Sequence, residues 1–77
     1  MTRYFFHVAN GRDMPDPEGS EFSEMTAVRE AALRTAGELL REGGDAFWQG
    51  HEWRMQVLDE DGNEALTLRF SAEQPAR

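Results

Sequence analysis

Seventy-seven residues suit one domain with one core, because a chain of this size buries only about 60% of the surface it exposes when unfolded. Apolar residues make up 39% of the chain and include five Phe, two Trp and one Tyr, which excludes a disordered tail, and the lack of Cys excludes a disulfide framework or a thiolate metal site. The formal charge of −7, from 15 acidic against eight basic residues, counts against unassisted nucleic-acid binding, whose affinity comes largely from phosphate contacts.

With no covalent or metal staple, stability has to come from packing or from self-association, so a homodimer or a protein partner is expected. The opening Met1–Tyr4 leads into an apolar stretch too short for a signal-peptide core or a membrane span. The expectation is a cytoplasmic protein with no membrane contact.

Arg3 to Ala9 is dense in aromatic and β-branched residues and stops at Asn10-Gly11, a turn dipeptide, which predicts a strand. Alternation puts Tyr4, Phe6 and Val8 on one apolar face and Arg3, Phe5 and His7 on the other. Asn10 to Gly19, with two Pro, two Gly and two Asp, reads as a turn-rich loop. Ser20-Glu21-Phe22 is a candidate short strand returning beside the first.

Ser23 is a good N-cap residue, Pro is absent from there to Gly43-Gly44, and the span predicts a helix of about five turns. At 100° per residue Met25, Val28, Ala32, Leu33, Ala36, Leu39 and Leu40 share an inward arc, with Glu30, Arg34, Glu38 and Arg41 opposite. Gly37, beside the arc, is expected to permit close approach to the sheet.

Asp45 to Glu52 links the helix to a hairpin and holds Phe47-Trp48, neighbours that cannot both face inward, so one is expected at the surface. Trp53–Leu58 and Ala65–Phe70 alternate around Asp61-Gly62, a strong hairpin signal. A two-residue turn there pairs Val57 with Leu66, Met55 with Leu68 and Trp53 with Phe70, so the apolar faces coincide, whereas an odd loop would split them.

The order predicts an α+β domain over residues 1–72, an antiparallel three- or four-stranded sheet with a single helix on one face (β-(β)-α-β-β), followed by a frayed tail over 73–77. The helix is expected to cover Tyr4, Phe6, Val8, Trp53, Met55, Val57, Leu66, Leu68 and Phe70.

No catalytic motif emerges. Asp59-x-Asp61-Gly62-Asn63 has its Gly at the fourth position where a calcium loop needs it at the sixth, and reads as a turn. His7 and His51, the only histidines, have no ligand spacing. The carboxylate pairs Asp13/Asp16 and Asp59/Asp61 lie in wet turn segments with no evident reason for a shifted pKa. No metal or cofactor is assigned.

The clearest candidate surface is the sheet face turned from the helix, which should carry Arg3, Phe5, His7, Glu52, Arg54, Gln56, Leu58, Ala65, Thr67 and Arg69. It reads as locally basic, with Arg54 opposite Arg69 and with Phe5 and His7 exposed. A solvated face whose Arg stems cover apolar neighbours is one interpretation. A docking surface for a second copy, an acidic peptide or nucleic acid is the other.

Arg3-Tyr4-Phe5-Phe6-His7-Val8, the Asp16-x-x-Gly19-x-Glu21 approach to an Ala-rich helix, and Trp53-Arg54-Met55 leading to Asp59-Glu60-x-Gly62 resemble a family of small uncharacterised bacterial proteins. The resemblance covers nearly the whole chain and implies a domain of unknown function with no catalytic residues to transfer. The short hairpin before a single helix is also similar to the small domain of HicB-type antitoxins, which have a longer second strand and often a separate DNA-binding segment. This chain shows neither.

The resulting expectation is a non-enzymatic protein-interaction or regulatory module whose contact candidates are Arg3, Phe5, His7, Arg54, Arg69, Phe47 and Trp48. The alternatives are a small-molecule or metal-dependent enzyme using His51 and nearby carboxylates, and nucleic-acid binding through the basic face.

Overall fold

The computed structural model describes residues 1–50 and 52–75. His51, and Ala76 and Arg77 of the expected tail, lie outside the described residues. In chain order the elements are β1 (Thr2–Ala9), β2 (Asp13–Met14), β3 (Ser20–Phe22), α1 (Met25–Glu42), α2 (Gly44–Trp48), β4 (Trp53–Asp59) and β5 (Glu64–Phe70). All pairings are antiparallel, in the order β2-β1-β4-β5, and β3 shares the outer edge of β1 with β2. The fold is α+β, with α1 packed on one face of the sheet. It adds the two-residue β2 and the five-residue α2 to the elements legible in the sequence, and Ser20–Phe22 is a strand.

Register follows hydrophobic alternation. Phe6 lies opposite Val57 and Val8 opposite Met55 between β1 and β4. Met55 faces Leu68 and Trp53 faces Phe70 between β4 and β5. A one-residue slip would turn every one of these side chains to water. The resulting core is Val8, Val28, Ala32, Ala36, Trp53, Met55 and Val57, with Tyr4, Phe6, Phe22, Leu66, Leu68 and Phe70 half-buried around it. Phe22 packs its ring against Tyr4 and Phe6, at 6.1 and 5.9 Å between centroids, and so anchors β3 to the core face of β1.

The hairpin reaches its expected register by a different route. The Asp59 N–H donates to the Asn63 carbonyl at 2.8 Å and the Gly62 N–H to the Asp59 carbonyl at 3.0 Å, so the loop is Glu60-Asp61-Gly62 rather than the two-residue Asp61-Gly62 turn. Asp59 stiffens it by accepting the Asp61 and Asn63 N–H groups on Oδ1, and Gly62 has the positive φ of +84° that the third loop position needs. Leu58 therefore pairs with Glu64, and a bulge at Ala65 restores the pairing of Val57 with Leu66. One consequence is that Ala65 packs against the core instead of lying on the outer face.

The helix also departs from expectation in three places. Its N-cap is Glu24, in extended conformation and without a side-chain hydrogen bond, not Ser23. Leu33, at the margin of the inward arc, is 60% exposed. The physical reason is width: a helix about 10 Å across covers about two strands spaced about 4.8 Å apart, so its flanks overhang. Gly37 faces open space, with nothing within 4 Å of the position a Cβ would take, so close approach does not explain it.

Candidate functional site

The expected surface residues fall into three groups. Arg3, Phe5 and His7 lie on β1 under a strap formed by residues 15–19. Among the described residues, the middle of β1, between its pairings with β3 and β2, has no strand partner on that side. Asp16 takes the place of one. Its Oδ2 accepts the Phe6 N–H at 3.1 Å, and its own N–H donates to His7 Nδ1 at 3.1 Å. Oδ1 accepts the N–H groups of Gly19 at 3.0 Å and Glu18 at 3.2 Å, which folds the strap back on itself. Gly19, at φ +70°, sits so close that a Cβ there would lie 2.7 Å from the Tyr4 carbonyl oxygen and 2.9 Å from the Phe5 ring.

Phe5 and His7 are consequently half-buried, their rings stacked 6.4 Å apart at 7°, rather than exposed as alternation alone implied. Arg3 is also engaged: its Nη1 donates to the Glu18 carbonyl at 2.8 Å and its Nη2 lies 3.5 Å from Glu21 Oε2. Asp16 was expected to be an ordinary wet carboxylate. Partial burial does push its pKa up, but the hydrogen bonds from the N–H groups of Gly19, Phe6 and Glu18 outweigh it, and the pKa lies below the ordinary value. The sequence signal was Asp-Pro-x-Gly, which by itself marks only a turn.

The second group is the open outer face. Arg54 and Arg69 are directly opposed across β4 and β5, and both are exposed. Glu52 Oε1 is 4.0 Å from Arg69 Nε, with both side chains more than half exposed, a geometry worth little. Glu64 Oε1 accepts hydrogen bonds from Gln56 Nε2 and Thr67 Oγ1, each at 2.8 Å. These bonds lower the Glu64 pKa, aided by Arg69 and Arg54 against a small desolvation cost. The Ala65 bulge thus brings Glu64 onto this face. The expected basic face narrows to the Arg54–Arg69 pair set in a mixed-charge surface.

The third group lies on the other side of the sheet. Phe47, on α2, packs against the core, and Trp48 beside it is 61% exposed, the rings meeting edge-on at 5.4 Å. One of the adjacent aromatics faces out, as their adjacency required. Also on the helix side is an open recess of about 570 Å³ bordered by Asn10, Arg12, Met14, Leu39 and Glu42, with buried Trp53 at its base. Among the described residues, no three His, Asp or Glu side chains are grouped to hold a metal ion, and no helix is long and apolar enough to cross a membrane.

The family model for a domain of unknown function, DUF6894, matches residues 3–71. The chain belongs to the DUF6894 family. The matched span includes the strap, the Arg54–Arg69 pair and α2, so all three groups are parts of the DUF6894 domain itself. No curated protein and no solved structure matches the chain.

Proposed function

We propose that the domain is a non-enzymatic protein-interaction module of the bacterial cytoplasm, and that it receives an acidic segment of a partner protein on the outer sheet face at Arg54 and Arg69. The observation that supports this reading is the direct opposition of the two exposed arginines across β4 and β5. Like charges facing each other across a ladder destabilise it by up to about 1 kcal/mol, and a carboxylate bound between them removes that cost. The three other candidates on this side of the sheet, Arg3, Phe5 and His7, are held by the strap and serve the fold. Phe47 and Trp48, on the helix side, offer a separate aromatic contact.

The test is affinity capture from an extract of the source cells with the purified domain as bait. Arg54→Glu together with Arg69→Glu should keep the circular-dichroism spectrum and lose the captured protein, whereas Arg29→Glu with Arg34→Glu on the helix should retain it. Equal capture by both double variants overturns the proposal. A non-enzymatic module should also show no change in melting temperature across a panel of divalent metals, and a reproducible rise would favour the enzyme reading built on His51.

A further inference from the structure

The two long edges of the sheet are finished differently. That of β1 is occupied by β2, β3 and the Asp16 strap. That of β5 ends the strand order, and among the described residues nothing pairs with it. Beside this open edge the core is incompletely covered, since Leu66, Leu68 and Phe70 are only half-buried on the helix side. Leu39 and Glu42 border the recess next to β2, and Leu33, nine residues before Glu42, is turned from it by about 180° and so leans towards β5. An unpaired strand and a half-covered row of apolar side chains therefore lie side by side, and the exposed Leu33 is on the helix flank turned away from β2.

The charges along β5 specify an occupant. Its outer face carries Glu64 at one end and Arg69 at the other, with uncharged Thr67 between them on that face. Such a strand is complementary to its own antiparallel copy. We propose that two copies of this chain join through β5, antiparallel about a two-fold axis at Thr67, to form one continuous sheet with both helices on the same side. Leu66 then faces Leu68 of the second copy and Thr67 faces its own equivalent. Glu64 of each copy comes beside Arg69 of the other, so two ion pairs form at the ends of the junction. An even register is required, because only then do the apolar faces of the two sheets coincide. The axis makes the contact isologous, and it covers the Leu33 flank of both helices. This contact shares Arg69 with the proposed acidic-partner site and differs from it at Arg54, which only the partner uses, and at Glu64, which only the second copy uses.

The experiment is molar mass by light scattering on the purified 77-residue chain, together with charge-swap variants. The wild type should weigh twice the chain mass of 8.8 kDa. Arg69→Glu and Glu64→Arg should each weaken the dimer about tenfold or more by setting like charges together, and the double variant should recover it. The chain has no Cys, so Thr67→Cys supplies a single thiol on the axis. It should form a disulfide-linked dimer on mild oxidation, and Glu38→Cys on the outer helix surface should not. A monomeric wild type overturns the proposal. So does a dimer that ignores both charge variants and leaves Thr67→Cys uncrosslinked, since its contact lies elsewhere. Arg54→Glu separates this inference from the proposed function: it should reduce partner capture without changing the mass.

Discussion

The edges of β1 and β5 are built from the same kind of alternating strand, yet one is closed by its own chain and the other, among the described residues, is left open. The difference comes from the segment that follows each strand. After β1 the chain turns back through residues whose polar groups are aimed at the strand, and Asp16 accepts the Phe6 N–H in the gap between β2 and β3 and donates its own N–H to the His7 side chain. After β5 residues 71–75 adopt no regular structure. Edge strands are protected when something local can satisfy them, and remain available for association when nothing does.

The comparison can be broken most strongly at Gly19. Gly19→Val should destabilise the fold by about 2–3 kcal/mol in chemical denaturation, because a branched side chain at positive φ must also displace the Tyr4 carbonyl and the Phe5 ring. Asp16→Ala comes next, at about 2 kcal/mol, since it removes a charged acceptor of three N–H groups. The same variant carries a signature in pH. The pKa of Asp16 is lower folded than unfolded, so its contribution is complete above the unfolded value of about 4 and disappears as pH falls through the folded one. Wild type should therefore lose stability on acidification more steeply than Asp16→Ala, and parallel curves would remove Asp16 as the strap's charged anchor.

Smaller effects sharpen the contrast from the open side. Trp48→Phe should change stability by less than about 0.5 kcal/mol, because the indole is exposed. It should also abolish nearly all fluorescence quenching by iodide, leaving the blue-shifted emission of buried Trp53. Amide exchange should find the Phe6 N–H protected at every protein concentration. The outward amides of β5 should exchange quickly in dilute protein and slowly in concentrated protein.

The parts of this architecture that were legible from sequence are those fixed by alternation. Trp53, Met55 and Val57 against Leu66, Leu68 and Phe70 have only one pairing that buries both sets, so the register could be deduced. The loop beneath it could not. A three-residue turn and a bulge at Ala65 are two offsets of one residue that cancel, and the distant pairs look the same with both or with neither. Glu64 reaches the outer face only because of that pair, which is why this face was expected to be more basic than it is. Asp16 was missed for another reason: a turn signal is local, whereas its partner Phe6 is ten residues away and its significance depends on where β2 and β3 stop. Leu33 lies at the margin of the inward arc, and how wide an arc is buried depends on the sheet beneath it, which the helix sequence does not encode.

Pro15 and Pro17, on either side of Asp16, bear on assembly as well as on folding. Neither has an N–H, so the strap lies against β1 without offering the next chain a row of donors to copy. A molecule with two templating edges could add neighbours without limit and grow into fibres. One whose β1 side ends in short strands and proline can be extended on the β5 side alone, and a single two-fold contact uses up the edge that permitted it.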